Sequence, residues 1–219
     1  MTNAAFFKHF LLFPALLFSL SASAQFGIST FHNWNDGRVS VDNGPREELS
    51  IVPVNNRELA LHYWFRLPKQ RVEFQPTIYY GTTGSGDSEL AQYGFQFKTN
   101  FYVFDFATDC DCPTFGKQGP QLEKGFFLQL APGVAYHDLS IGSGSNATTF
   151  SLAGGLGLDF GVSNLLTLTP LLSIRHHFGD ILDDGVFADE NNQPVEVDTR
   201  LTTLQVGLQA TFRFDKKRY

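Results

Sequence analysis

Apolar and polar residues alternate along most of this chain from Gln25 onward, and this period of two limits the possible folds more than any other feature. A period of two places successive side chains on opposite faces of a β-strand, whereas the period of 3.6 that marks an amphipathic helix is nearly absent. After Leu20, no apolar run approaches the ~18 residues that a membrane helix requires. The alternation therefore predicts an all-β protein, and any part of it that enters a bilayer does so as strands.

Eight segments carry the alternation, and each is about as long as the ~9–11 residues of a tilted membrane-spanning strand. The predicted strands cover residues 25–35, 58–67, 71–80, 90–104, 126–137, 150–160, 166–178 and 203–214. The connections 36–57, 81–89, 138–148 and 179–199 are longer, whereas 68–70 and 161–164 are tight. An even number of strands with long and short connections in turn is typical of bacterial outer-membrane barrels. We therefore predict an antiparallel up-and-down transmembrane β-barrel of about eight strands.

The composition of the polar face of these segments indicates whether the apolar face points outward or into a core. A soluble protein would carry many Lys and Glu on that face, but here it carries mostly Gly, Ala, Ser, Thr and Gln. A few charges of both signs are interspersed, and we predict that they pair inside a narrow lumen. These candidate lumen residues are Glu58, Arg66, Arg71, Glu73, Lys98, Asp159, Arg175 and Arg213. The alternative is a soluble periplasmic ligand-binding β-barrel whose apolar faces form the core.

The first 24 residues have the features of a cleaved secretory signal peptide. Lys8 and His9 precede an apolar run to Leu20, and Ala22 and Ala24 supply the small residues of a processing site. A permanent membrane anchor is the competing interpretation, although the apolar run is short for one. We expect a signal peptide over residues 1–24 and one barrel domain over 25–219. The formal charge of −6 argues against a nucleic-acid partner, which requires a basic patch.

Three segments share an apolar-x-Pro-x-apolar pattern around Pro76, Pro132 and Pro170, one in each of three odd-numbered predicted strands. A proline removes a donor from the hydrogen-bond ladder, and a closed barrel has no free edge to accommodate that loss. We therefore expect these prolines at bulges or at strand ends.

The last predicted strand carries Gln205, Gly207, Ala210 and Phe212, a pattern similar to the signal by which outer-membrane barrels are recognised for insertion. The segment from Asp159 to Pro170 and the Ala24-Gln25 site resemble features of Bacteroidetes-type barrels. Residues 25–219 thus resemble the superfamily of small, porin-like outer-membrane β-barrels. The resemblance implies location in the bacterial outer membrane, with outer-membrane lipid, lipopolysaccharide and the barrel-insertion machinery as partners.

Cys110 and Cys112, one residue apart, are the most distinctive local feature. They form a candidate disulfide, with reduced or partner-bridged thiols, a redox pair and a metal site as the alternatives. The nearby ligands are only aspartates, which together with thiolates make a poor zinc site, so we predict no metal and no cofactor. The long connection Asp105–Gly125 falls on the periplasmic side and is a candidate docking segment for a periplasmic protein.

Ser173, Arg175, His176 and His177 suggest a comparison with lipid A deacylases, which are eight-stranded barrels with a Ser, a His and an acidic residue. Nothing in the sequence completes such a triad, and the serine expected just after the histidine is missing. We therefore predict no catalytic residue. The acidic segment 180–192 lacks the spacing of an EF-hand and is interpreted as a solvated loop.

Because the interior of an eight-stranded barrel is only wide enough for side chains, a general-diffusion porin is not expected. We predict a non-enzymatic outer-membrane barrel with a filled lumen and a structural or loop-presenting, partner-binding role. A lipid-modifying hydrolase in the barrel wall, a narrow conduit for small apolar ligands and an export accessory remain as alternatives.

Overall fold

The structure, a computed structural model, describes residues 25–41, 55–66, 71–85, 88–104, 125–140, 145–163, 165–181 and 197–213. These residues form eight long strands: β1 Gln25–Val41, β2 Asn55–Tyr63, β3 Val72–Ser85, β4 Ser88–Phe101, β5 Phe126–Ser140, β6 Ser145–Leu158, β7 Leu166–Phe178 and β8 Val197–Arg213. Two short pieces, Phe65–Arg66 and Phe160–Gly161, continue β2 and β6 after one intervening residue each, Trp64 and Asp159.

Each strand pairs antiparallel with its neighbour in sequence, and β8 pairs in turn with β1. This closing ladder runs unbroken from Gln25 opposite Arg213 to Val41 opposite Val197. Every strand therefore has a neighbour on both sides. The fold is a closed eight-stranded antiparallel barrel of up-and-down topology, which confirms the predicted fold class.

The strands are strongly staggered around the barrel. A path through successive register partners that leaves β6 at Gly157 returns to the same strand at Ala147, a stagger of ten residues. A barrel that closes with such a stagger, called its shear, requires the strands to tilt, typically by about 35–45° from the barrel axis.

The barrel has two different ends. The end that holds Gln25 and Arg213 also holds the connections β2–β3, β4–β5 and β6–β7, and we call it the terminal end. The opposite end holds the connections β1–β2, β3–β4, β5–β6 and β7–β8, and we call it the loop end.

Pro76, Pro132 and Pro170 lie inside β3, β5 and β7, and each coincides with a gap in one hydrogen-bond ladder. The β4–β5 ladder, for example, stops at Gln96 opposite Gly133 and resumes at Thr99 opposite Leu130, on either side of Pro132. Similar gaps next to Pro76 and Pro170 interrupt the β2–β3 and β6–β7 ladders. The register is the same on both sides of each gap, so no residue is inserted. The expectation of bulges or strand ends is wrong: each proline sits within its strand with its donorless nitrogen at the gap.

Several strands extend further at the loop end than the alternation indicates. β1 continues to Val41 instead of ending near residue 35. The predicted long connections 81–89 and 138–148 are wrong, because β3 and β4 pair up to Ser85 opposite Ser88, and β5 and β6 up to Leu139 opposite Ser145. Gly, Ser and Thr in these segments resemble loop residues in the sequence, but here they continue the ladders.

Side chains alternate between the lumen and the outer surface, and β2 alternates exposed and buried at every position from Asn55 to Tyr63. The inward positions hold the buried polar and charged residues, together with aromatic and small apolar side chains. The outward positions hold large exposed apolar side chains. No helix among the described residues is long and apolar enough to span a membrane.

Candidate functional site: the lumen and the apolar band

Six of the eight candidate lumen residues are buried inside the barrel. They separate into a mid-lumen group and a terminal-end group: Glu58, Lys98 and Arg175 form the first, and Arg71, Glu73 and Asp159 form the second. Arg66 and Arg213 end β2 and β8, and their side chains lie outside the described part of the structure. Cys110 and Cys112 also lie outside it, as do residues 1–24 and nearly all of Asp105–Gly125.

Glu58 and Arg175 form a two-pronged ion pair across the lumen. Arg175 Nη1 donates to Glu58 Oε2 at 2.9 Å, and Nη2 donates to Oε1 at 3.0 Å, with both side chains 1% exposed. Asn33 Nδ2 and Gln205 Nε2 also donate to Glu58 Oε2, at 3.2 and 3.3 Å. This bidentate geometry gives the Arg–carboxylate pair both strength and a fixed orientation. Glu58 is therefore the centre of the mid-lumen polar network.

Lys98 lies in the same group but has different surroundings. Its ammonium lies 4.8 Å from the centre of the Phe31 ring. Phe31 is in turn the register neighbour of Glu58, so the ammonium lies near the Glu58–Arg175 pair without joining it. Within the described ranges, no carboxylate oxygen comes within 4.0 Å of this ammonium.

The terminal-end group is built around Tyr102. Its hydroxyl lies 2.8 Å from Glu73 Oε2 and 2.6 Å from Asp159 Oδ2. Trp64 Nε1 donates to Glu73, and Thr169 donates to Asp159. The Arg71 guanidinium lies 5.7 Å from the centre of the Tyr102 ring. Carboxylates, their donors and a cation thus occupy the lumen near this end.

Inward glycines make room for aromatic rings that cover the buried cations. A Cβ atom on Gly94 would come within 2.3 Å of the Tyr79 ring, and one on Gly207 within 2.2 Å of the Phe31 ring. The Arg175 guanidinium lies 4.2 Å from the centre of the Tyr79 ring. All three buried cations of the described lumen thus lie within about 6 Å of the centre of an aromatic ring, close enough for cation–π attraction.

A histidine chain lies near the loop end, and of its two histidines sequence reasoning singled out only His177. Thr149 Oγ1 lies 2.9 Å from His137 Nε2 and 3.0 Å from His177 Nδ1, and Gln92 Nε2 lies 3.2 Å from His177 Nε2. The two imidazole rings meet edge to face with centres 4.9 Å apart. The inward positions of these residues in the alternation are the sequence signal that could have identified the chain.

The serine and histidine candidates do not form a catalytic triad. Ser173 Oγ donates to Gln205 in the lumen, His177 belongs to the histidine chain, and His176 faces outward and meets Thr202. Another pair, Ser29 and His62, lies 3.5 Å apart, but the second ring nitrogen of His62 meets the Thr211 hydroxyl instead of a carboxylate. In the described ranges, no three His, Cys, Asp or Glu side chains are grouped to hold a metal ion.

A continuous apolar band surrounds the outside of the barrel. On β1, for example, the outward positions from Phe26 to Trp34 carry no Asp, Glu, Lys or Arg. The same holds for the outward positions of residues 59–65, 74–80, 93–101, 126–136, 150–158, 166–178 and 204–212. Exposed charged residues follow at or just beyond its loop-end border: Asp36, Arg38, Arg57, Asp138 and Arg200.

Aromatic side chains mark both borders of the apolar band. Toward the loop end, Tyr80, Tyr93 and Tyr136 lie side by side on three neighbouring strands, each more than 40% exposed. Toward the terminal end, Phe26 packs against Phe212 with ring centres 6.0 Å apart. Nine residues of a strand tilted by 35–45° rise roughly 20 Å along the barrel axis, close to the ~25 Å apolar band of outer-membrane barrels.

No protein-family model matches the chain, and neither does any curated protein. Three similar solved structures are those of the neisserial surface protein A, the attachment invasion locus protein Ail of Yersinia pestis and the outer-membrane enzyme PagL. Their identities are 13%, 16% and 11%, with TM-scores of 0.46, 0.45 and 0.41. The matches cover 86%, 86% and 84% of this chain and 96%, 99% and 97% of theirs. At these identities and TM-scores, the similarity does not indicate a function for this chain. The fold assignment rests on the strand pairing.

Proposed function

We propose that the chain is an integral protein of the bacterial outer membrane, of the Bacteroidetes type that its sequence resembles. In this proposal lipid surrounds the apolar band, the lumen is filled with side chains, and the protein has a non-enzymatic structural or loop-presenting role. Outer-membrane lipid, lipopolysaccharide and the barrel-insertion machinery are its expected partners.

The observation that carries the proposal is the distribution of charge between the two faces of one sheet. Charged side chains are buried inside the lumen or exposed at and beyond the loop-end border, and the apolar band between the aromatic borders has no Asp, Glu, Lys or Arg at its outward positions. Soluble monomers rarely expose contiguous apolar patches larger than a few hundred Å². A soluble β-barrel would also place its apolar face inside, but here Ile78 is 59% exposed and Glu58 is 2% exposed. This arrangement favours a membrane barrel over the soluble periplasmic alternative.

The extension of the strands at the loop end supports a loop-presenting role. Beyond Trp34, the β1–β8 ladder continues to Val41 opposite Val197, where Asp36 and Arg38 form an exposed ion pair at 3.3 Å. These ladders carry the connections away from the apolar band on paired strands. Partner binding through these connections, or through Asp105–Gly125 at the other end, is part of the proposal.

The two tryptophans of the chain provide a direct test, because they lie on opposite faces of the sheet. Trp34 is 39% exposed on the outer surface at the loop-end border of the apolar band, whereas Trp64 is 7% exposed and points inward. In vesicles of phospholipids brominated along the acyl chain, we expect strong quenching of fluorescence in Trp64→Phe, which retains Trp34. Quenching should be weak in Trp34→Phe, which retains Trp64. Equal, weak quenching in both variants would contradict a membrane-embedded band.

A further inference from the structure

The mid-lumen group carries more positive than negative charge. Glu58 is its single carboxylate among the described residues, whereas Lys98 and Arg175 are both basic. The bidentate pair with Glu58 accounts for Arg175. One positive charge, that of the Lys98 ammonium, is left over. Lys98 is only 4% exposed.

A buried ammonium needs compensation, because removing an unpaired charge from water costs many kcal/mol. Among the described residues, the Lys98 ammonium makes no hydrogen bond or ion pair, and its cation–π contact is with the Phe31 ring. A cation–π contact is worth about 0.5–2 kcal/mol, which is too little to replace the lost hydration. The position therefore favours a further group that carries negative charge.

Several buried polar atoms without hydrogen-bond partners belong to the same mid-lumen group or its neighbours. Gln96, the inward residue next to Lys98 on β4, uses its Oε1 to accept from Arg175 and leaves Nε2 without a partner. Arg175 Nε and the Tyr79 hydroxyl are also without partners in the described structure, and the Arg175 guanidinium lies 4.2 Å from the Tyr79 ring centre. All three side chains are at least nine-tenths buried. Buried polar atoms are normally satisfied. Gln75 Oε1, opposite Lys98 on β3, is also without a partner, but a neutral amide cannot balance the charge of an ammonium, so the free donors and the cation together indicate an anionic acceptor.

We infer that the lumen binds a small monovalent anion, of the size of chloride, between the Lys98 ammonium and the free donors of Gln96, Arg175 and Tyr79. A single negative charge balances the single excess positive charge of the mid-lumen group. The ligand is small because an eight-stranded barrel leaves little room beside its own inward side chains. It is an acceptor without protons to donate, which matches a site built from N–H and O–H groups.

The test is the dependence of unfolding on halide. The protein in phospholipid nanodiscs is unfolded by urea at constant ionic strength, while sodium chloride or bromide replaces sodium gluconate. An anion bound only by the folded barrel lowers the unfolded-to-folded ratio about tenfold for each tenfold rise in halide above the dissociation constant. We expect this dependence in the natural chain and in Lys98→Arg, and its loss in Lys98→Met.

Arg38→Met, which removes an exposed cation from the outer wall, is the matched control and should keep the full halide dependence. The excess line width of ³⁵Cl in solutions of the natural barrel, displaced by bromide, gives a second measurement that does not depend on the folding of a variant. A lumen that holds only water would show neither excess line width nor halide dependence and would overturn the inference. A dependence that persists in Lys98→Met, or disappears equally in Arg38→Met, would also overturn it.

Discussion

Replacement of Glu58 by methionine is expected to lower the free energy of unfolding of the barrel by about 3–5 kcal/mol, because it leaves the Arg175 guanidinium buried without its partner. Four hydrogen bonds to the Glu58 carboxylate are lost in the same substitution: two from Arg175, one from Asn33 and one from Gln205. Equilibrium unfolding by urea in lipid vesicles measures the change.

Two further variants separate the effect of an unpaired charge from that of a lost contact. The double variant Glu58→Met with Arg175→Met removes both charges, and we expect it to recover most of the stability, because apolar pairs often replace buried ion pairs at little cost. Asp36→Asn disrupts the exposed pair with Arg38 and should change stability by less than about 1 kcal/mol. A cost below about 1 kcal/mol for Glu58→Met alone would contradict the buried, bidentate Glu58–Arg175 pair described above.

Replacement of Ile78 by arginine is expected to destabilise the barrel by about 2–4 kcal/mol in a bilayer, because the new charge lies near the middle of the apolar band. Ile78 is 59% exposed, so the larger side chain meets no steric obstacle and the cost comes from contact with lipid. Leu61 and Phe95 flank it on β2 and β4 and are also exposed. The change in unfolding free energy in vesicles measures this cost.

Asn55→Arg is the matched control, since Asn55 is exposed at the loop end of β2, beyond the charged residue Arg57. Arginine there should cost only about 0–1 kcal/mol, as is usual near the membrane surface. In a soluble barrel the two substitutions would be equally well tolerated. Equal, small effects of Ile78→Arg and Asn55→Arg would therefore contradict the proposed membrane band.

Much of the fold could be predicted from the sequence, because a period of two assigns each strand residue to one of two faces. The inward positions of Glu58, Lys98 and Arg175, and the outward position of Ile78, follow from that rule alone. The absence of charge from the apolar faces then gives the orientation of those faces. The strand ends at the loop end were harder to predict, since residues such as Ser85 and Ser88 continue a ladder where the apolar pattern has already stopped.

The pairing of lumen charges could not be predicted, because it depends on the stagger between strands that are distant in sequence. Glu58 and Arg175 are 117 residues apart in sequence. A different stagger between the strands would place another basic side chain opposite the Glu58 carboxylate. The separate positions of Lys98 and of the Tyr102 group have the same cause. The prolines were mispredicted because the register on both sides of each gap is fixed by long paired segments, which tolerate a missing donor without a bulge.

The most direct test of the central claim is to determine the cellular fraction of the protein together with its mobility on gels, boiled and unboiled. A closed barrel surrounded by lipid should be recovered with the outer membrane and should migrate faster before boiling, since the paired ladders resist detergent until heated. Parallel lanes with reductant would report on the predicted Cys110–Cys112 bridge without affecting this result. Recovery in the soluble periplasmic fraction, with the same mobility before and after boiling, would contradict the claim that the apolar band lies in a membrane.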